Sequence, residues 1–406
     1  MMKFAHMADC HIGSWRDPKL KDVSTIAFQK AIDKCIEEAV DFILISGDLF
    51  NTSLPRIDNL KTVVTSLKQL KDKDIPAYII AGSHDYSPSG KTMLDVLEQA
   101  GLLINVVKGQ EVDGKLKLNF TVDKKTGAKI TGMLGKRYSL EKEYYEKLVL
   151  ENLEQEQGYK IFMLHSGIDE LKPEDQQNII TQPISLLPKN FNYYAAGHVH
   201  IVKETKIDGY GLIVYPGPLF PNSFSELEKL GTGGFYIVED DKPTWHSIQV
   251  YNVHKIIMDC SQKNTEQVYD EIINEIKDKE FNNTIVLIRL SGSLESGKPH
   301  DIDFKDIFQK IYDKSAHFVM KNTNALTTKE FEEIKIDTKS TEDAEAAIIK
   351  EHLGQIKVSN MDITKEEALI KALMQTLSTE KQEGERVTDF ENRVKQEVSK
   401  VLDVDL

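Results

Sequence analysis

The sequence predicts an α/β fold: two sheets packed as a sandwich and flanked by helices, then a small second α/β domain and a C-terminal helical segment. Three observations carry this. Over the first 250 residues, short apolar runs alternate with amphipathic stretches. The alternation restarts with a new pattern after residue 251. From Lys339 onward strand signals vanish and helical periodicity takes over. The expected domains are therefore 1–250, 251–338 and 339–406.

Phe4 to Ala8 reads as a strand that ends at Asp9. From Val23 to Ala39 the apolar positions Val23, Ile26, Ala27, Ala31, Cys35, Ile36 and Ala39 recur at helical spacing. Phe42 to Ile45 is a buried strand leading to Gly47-Asp48, and Ile57, Leu60, Val64, Leu67 and Leu70 form the next helical stripe. Pro76 to Ala81 is a third strand. This βαβαβ order implies parallel strands covered by helices. In such sheets ligands gather outside the carboxyl ends of the strands. A helix near Tyr138 to Leu153 precedes two further strands, Ile161 to Leu164 and Tyr193 to Ala196. From Val202 to Val250 short strands with glycine turns predict a second, more antiparallel sheet packed on the first.

In the next domain the pattern predicts strands at Lys255–Met258, Thr284–Leu290 and Ala316–Met320, with helices at Thr265–Lys277 and Phe304–Tyr312. Ser291 to Pro299 reads as an exposed loop. Residues 341–353 and 364–378 are helical in period, and Val387, Phe390, Val394, Val398 and Val401 make an apolar stripe. Such a stripe docks either on its own protein or on a partner.

A chain of 406 residues exceeds one ordinary core. Its 40% hydrophobic and 29% charged residues are those of a soluble globular protein. No apolar run approaches the roughly 20 residues that span a bilayer, and the start lacks a signal peptide's apolar stretch. A cytoplasmic location is the expectation, with no membrane partner. Cys10, Cys35 and Cys260 fit neither a disulfide framework nor a zinc knuckle. The net charge of −14 argues against broad electrostatic binding of nucleic acid. It does not exclude a nucleic-acid substrate, because a metal pair adds about four positive charges at the site.

Five elements fall where strands end: Asp9-Cys10-His11, Gly47-Asp48-Leu49-Phe50, Gly82-Ser83-His84-Asp85, His165-Ser166-Gly167 and Gly197-His198-Val199-His200. Aspartate and neutral imidazole are ligands for first-row divalent metals. Residues two apart, as in Asp9/His11 and His198/His200, can face the same way at a strand end. A set this large holds more than one ion, and two ions roughly 3.5–4 Å apart are the usual device for in-line displacement at phosphorus. Cys10 is expected to point away from them, and His6, inside the first strand, to be a core or supporting residue. His84 suits either a proton donor to the leaving oxygen or another metal ligand, with Asp85 orienting its ring. Ser89-Gly90-Lys91-Thr92 is not a P-loop, since Asp85 stands where its first glycine is required. Lys91 is a candidate phosphate contact at a helix start. Lys136-Arg137-Tyr138, with Lys142, Tyr144, Tyr145 and Lys147, mixes bases with aromatics in a way that suits phosphate contact and stacking. Interleaved Glu141, Glu143 and Glu146 make a solvated helix face the simpler reading.

Together these residues resemble the calcineurin-like metallophosphoesterases. Within them they are similar to the SbcD-type DNA double-strand-break repair nucleases, in an archaeal-like form. The motifs Asp9-x-His11-x-Gly13, Gly47-Asp48-Leu49-Phe50 and Gly197-His198-x-His200 carry the likeness. The resemblance implies two manganese ions per subunit, with magnesium as a substitute. It implies that Asp9, His11 and His200 hold one ion, His165 and His198 the other, and that Asp48 bridges them. His84 would be the catalytic histidine off the metals, with Asn51, Lys91, Arg137 and Tyr138 near the substrate. Residues 251–338 would cap the nuclease domain and bind DNA, and 339–406 would bind an SbcC-type coiled-coil ABC ATPase. DNA ends as substrate, a homodimer and nucleoid association are further implications. The implied reaction is attack of metal-activated water on a phosphodiester. One departure stands out: the family commonly has Gly-Asn-His-Asp, whereas Ser83 stands here in place of the asparagine. A shorter hydroxyl at that position predicts weaker affinity for the second metal. A phosphoesterase acting on small phosphodiesters or phosphoproteins, and a DNA-end scaffold with weak activity, are the alternatives.

Overall fold

The computed structural model describes residues 2–87, 92–136, 140–173, 179–328, 363–379, 381–382, 385 and 387–402. Strand β1 (Lys3–Met7) lies parallel to β2 (Phe42–Ser46), which pairs with β3 (Ala77–Ile80) and then β4 (Ile104–Asn105). Helices α1 (Val23–Glu37), α2 (Ile57–Lys71) and α3 (Met93–Gln99) make the crossovers. A second six-stranded sheet is built around the parallel strands Lys129–Met133, Lys160–His165, Tyr193–Gly197 and Leu212–Pro216.

Period-two alternation decides how these layers stack. Phe4, Phe42 and Leu44 turn toward Ile161, Met163, Tyr193 and Ala195 of the second sheet. Their neighbours Ala5, Met7, Ile43 and Ile45 face the other way, toward Phe28, Ile32, Val63 and Leu67 of the helices. The opposite face of the second sheet, with Phe162, Leu164, Tyr194 and Ala196, closes its own core. Strands buried on both faces have no polar positions to alternate, so they read as continuous apolar runs. Each large side chain buried in these layers stabilises the fold by about 1.5–3 kcal/mol. The expected α/β sandwich is therefore the observed one.

Three expectations change. The strands after Val202 do not form a separate antiparallel sheet. Val202–Lys206 and Leu212–Pro216 extend the second sheet, whereas Gly233–Glu239 returns to pair antiparallel with β1 and Lys242–Ile248 follows it. Strand signals alone carry no information on which edge a strand joins. The helix expected up to Leu153 is two short ones, Lys142–Glu146 and Glu151–Glu154. Between them the chain leaves helical geometry to pair with Leu116, whose N–H donates to Lys147 O and whose carbonyl accepts from Val149 N. The expected loop at Ser291 begins later, because strand Thr284–Leu294 continues and buries Leu294 completely.

Strands Asn252–Asp259, Thr284–Leu294 and Phe318–Thr328 form a parallel sheet. One face packs on the helices Thr265–Ile276 and Phe304–Asp313 through Ile256, Val286, Ile288, Ile272 and Ile307. Ile285 and Leu287 on the other face join the core of the first sheet, so residues 1–329 are one compact unit. In the other unit, residues 330–406, helices Ile363–Leu377 and Val387–Leu402 are described. Phe390, Val394, Val398 and Val401 are half-buried along the second of them. The expected helix at 341–353 lies outside the described residues.

Candidate metal centre

Every candidate ligand loop leaves the carboxyl end of a strand. Asp9 and His11 follow β1, Asp48 follows β2, Ser83 and His84 follow β3, His165 ends its strand, and His198 and His200 follow Tyr193–Gly197. Side chains from both sheets meet in one place. Asp9, His11 and His200 each offer an atom within 4.8 Å of the others, as do Asp9, Asp48 and His165, and His11, Asp48 and His84.

The loops are held there against backbone preference. Asp9, His11, Asp48, His198 and His200 all have positive φ, between 40° and 94°. Non-glycine residues rarely adopt this region, and each costs on the order of 1–3 kcal/mol in the sparsest parts of it. Backbone bonds offset that strain: Asp9 N donates to Gly47 O at 3.1 Å, His11 N to Asp48 O at 2.9 Å and Ile12 N to Leu49 O at 3.0 Å. His84 N donates to Asp48 Oδ1 at 2.7 Å and His198 N to Asp9 Oδ2 at 3.0 Å. Close approach explains two glycines. A Cβ on Gly47 would stand 2.2 Å from His165 Nδ1, and one on Gly82 would stand 2.2 Å from Asp48 Oδ1.

The donor set fits divalent ions. His165 Nε2 and His11 Nδ1 are buried without a hydrogen-bond partner. His165 Nε2 lies 3.2 Å from Asp48 Oδ2, near but not aligned for a hydrogen bond. His11 Nε2 and His200 Nε2 face each other at 3.0 Å, and His200 Nε2 is 3.5 Å from Asp9 Oδ1. Ligand arms of about 2.1 Å around an octahedral ion place neighbouring donors about 3 Å apart. Outer partners fix the rings: His165 Nδ1 donates to Ser46 O at 2.8 Å, and His200 Nδ1 lies 3.1 Å from Glu226 Oε1. Each turns its Nε2 toward the carboxylates of the centre, the arrangement metal-binding histidines usually have.

Charge points the same way. Burial pushes the Asp9 and Asp48 carboxyls up, and the neighbouring imidazoles more than reverse it, so both stay well below the ordinary range. Burial lowers His165 and His200, but Asp48 raises the first to about 9 and Asp9 raises the second to about 10. Two buried carboxylates thus recruit protons onto imidazoles, and divalent cations meet the same demand by displacing those protons.

The calcineurin-like phosphoesterase family matches residues 2–202. Three archaeal proteins named DNA double-strand break repair protein Mre11 are similar to this chain. That of Methanocaldococcus jannaschii is 30% identical over 365 residues, covering 87% of this chain and 89% of the relative. The Archaeoglobus fulgidus protein is 30% identical over 300 residues, with 69% of this chain and 66% of the relative covered. The Sulfolobus acidocaldarius protein is 28% identical over 371 residues, with 87% and 91% covered.

The chain belongs to the calcineurin-like phosphoesterases. It is a metal-dependent phosphodiester hydrolase. In this calcineurin-like phosphoesterase the remaining candidates fall as follows. His198 packs edge-on against the His165 ring, with centroids 5.1 Å apart. Ser83 is buried and its hydroxyl donates to Asp48 Oδ2 at 3.4 Å. Cys10 is fully buried in the helix-side core. Lys91, Arg137 and Tyr138 lie outside the described residues. Asn51 offers its carbonyl, not its side chain, to His84 Nδ1 at 2.9 Å.

Asp85 requires a correction. It does not orient the His84 ring. Its carboxylate accepts from the N–H groups of Leu49, Phe50 and Gly82 at 3.0–3.1 Å and so clamps the loop that carries Asp48. Burial and the Asp48 charge raise it to about 6, against those three donors.

Sequence reading missed one support, Glu226, and gave no partners for another, His6, which it expected as a core or supporting residue. Glu226 bonds His200 and also accepts from Asn222 N at 2.8 Å. Its only signal is Ser223-x-x-Glu226, which reads as a helix start. His6 links Tyr193 Oη to Ser46 Oγ, each at 3.0 Å, beneath the carbonyl that holds His165. Burial lowers His6 from 6.5 to about 3. The unfolded chain therefore binds a proton below pH 6.5 that the folded chain refuses. Its contribution to stability is complete above pH 6.5 and declines as pH falls toward 3. Urea midpoints measured against pH will show this: His6→Gln is less stable at pH 8 by about 1–3 kcal/mol. Its acid limb is shallower than wild type by up to about 1.4 kcal/mol per pH unit. Equal slopes in the two proteins would refute the assignment.

Proposed function

We propose that this chain is a DNA nuclease of double-strand-break repair, acting on DNA ends through two manganese ions, with magnesium as a substitute. The observation that supports it most is the convergence of Asp9, His11, Asp48, His165 and His200 from four separate strand ends. Similarity to the archaeal repair proteins supports the choice of substrate. Asp9, His11 and His200 would hold one ion, His165 and His198 the other, with Asp48 shared and Ser83 beside the second. When bound, the ions lower the pKa of water and offset charge on the phosphate.

The chain's own groups do the rest. With Nδ1–H committed to Asn51 O, the imidazolium form of His84 carries a second proton on Nε2, which it gives up to the leaving ribose oxygen. Asp85 keeps Asp48 in register by binding the two amides that follow it. Asn51, Lys91, Arg137 and Tyr138 contact the nucleic acid in this reading. An enzyme of this kind uses little base readout, so weak sequence preference follows. Residues 251–338 serve as a capping domain that binds DNA. Residues 339–406 bind a coiled-coil ABC ATPase, and the protein works as a homodimer at the nucleoid in the cytoplasm. Among the described residues no helix is long and apolar enough to cross a membrane.

Assays on single-stranded and duplex DNA with manganese, magnesium or chelator test the reading. Cleavage that needs the metal supports it. Hydrolysis of small phosphodiesters with DNA left intact would overturn it. Co-purification of the ATPase with wild type but not with a chain ending at residue 340 tests the partner. Metal titration reads Ser83 separately: Ser83→Asn is expected to bind the second manganese more tightly, by about tenfold, and unchanged affinity would count against the hydroxyl's cost.

A further inference from the structure

The Lys136 ammonium sits among aromatic rings. Among the described residues no carboxylate forms an ion pair with it, in a chain of 65 acidic and 51 basic residues. Other lysines nearby are satisfied: Lys147 pairs with Glu143 at 2.7 Å, and buried Lys160 donates to the carbonyls of Leu153 and Glu154. Glu141, five residues on, spends its oxygens on Lys136 N and Ser166 Oγ. The Lys136 ammonium instead lies 4.0 Å from the centre of the Tyr144 ring and 5.5 Å from that of Tyr86, and donates to the Tyr144 hydroxyl. All three residues are half-buried. An ammonium on aromatic faces keeps its charge in place while remaining open to an anion.

Its place in the fold is specific. Gly135 N donates to Ala81 O at 2.8 Å, and a Cβ on Gly135 would stand 2.6 Å from His165 Cδ2. Lys136 therefore departs from the wall of the metal centre. Tyr86 departs from the same wall, one residue after Asp85, with its N–H on Gly82 O. In the sequence the bases among aromatics suited phosphate contact and stacking, and the interleaved Glu141, Glu143 and Glu146 favoured a solvated helix face. The fold instead buries Tyr145, pairs Lys147 and gathers Lys136 with two tyrosines from different segments.

We propose that Lys136, bracketed by Tyr86 and Tyr144, is a subsite for the phosphate neighbouring the scissile one, with a flanking nucleobase stacked on the exposed tyrosine face. The proposal rests on the nuclease reading. A polymer of phosphodiesters supplies both groups at once, whereas a small diester supplies neither.

Lys136→Met, Lys136→Arg and Tyr86→Leu are compared with wild type on a single-stranded oligodeoxynucleotide and on bis(p-nitrophenyl) phosphate, with manganese present. The quantity read is the ratio of kcat/KM for the oligonucleotide to that for the small ester. Lys136→Met and Tyr86→Leu each lower this ratio about tenfold, through KM. The salt dependence of oligonucleotide affinity weakens in Lys136→Met by about one charge. Lys136→Arg restores most of the ratio. Wild-type ratios in Lys136→Met, or equal losses on both substrates, would overturn the subsite while the nuclease reading stands. A wild-type protein that hydrolyses the ester and spares the oligonucleotide overturns both.

Discussion

Asp48→Asn is expected to lose about 10³-fold or more in phosphodiester hydrolysis and to retain less than its full complement of metal. Asp48 is buried, its Oδ2 lies 3.2 Å from His165 Nε2 and 3.7 Å from His11 Nε2, and it belongs to two of the three ligand groups. No other residue is common to the His84 group and the His165 group. The amide keeps one oxygen, replaces the other with a donor and removes the charge that the two ions of the proposed centre would share. Lewis-acid stabilisation of several kcal/mol is at stake, which corresponds to about 10³ in rate. Metal content by elemental analysis, thermal melting and turnover measured together check this. A folded variant with full metal and full activity would remove Asp48 from the centre.

His84→Ala is expected to lower kcat about 10²–10⁴-fold on DNA while metal content stays at the wild-type level. His84 shares a group with His11 and Asp48, and its ring packs edge-on at 4.7 Å from His11, so geometry alone permits a ligand role. Its hydrogen bond to the Asn51 carbonyl favours a fixed ring that hands over a proton from Nε2. The leaving group separates the roles. A ribose oxygen needs a proton as it departs; p-nitrophenolate needs far less. The variant's deficit on bis(p-nitrophenyl) phosphate is therefore expected to be much smaller than on DNA. Loss of metal together with equal deficits on both substrates would make His84 a ligand instead.

The strand-end positions of Asp9, Asp48, His165, His198 and His200 were legible because buried parallel strands are short apolar runs, and the first polar residues after them stand at the sheet's carboxyl edge. The roles of Asp85 and Glu226, and the partners of His6, were not. Each acts through a bond to a residue far along the chain: Asp85 to Leu49 and Phe50, Glu226 to His200, His6 to Tyr193. Local sequence shows Asp85 only as the neighbour of His84, and adjacency suggested a contact that the fold does not make. The strands after Val202 failed in a similar way. Their pattern marked them as strands, but pairing Gly233–Glu239 with β1 joins segments more than two hundred residues apart.

By itself the sequence determined the α/β class, the order of the elements and the ligand types, because each follows from the residues within one segment. Only the tertiary structure decided which sheet each strand entered and which carboxylate holds which loop. It also decided that five positive-φ residues, Asp9, His11, Asp48, His198 and His200, are bent toward one centre. Those outcomes depend on bonds across the fold, such as Asp9 N to Gly47 O and His84 N to Asp48 Oδ1, which outweigh the local backbone preference that a sequence records.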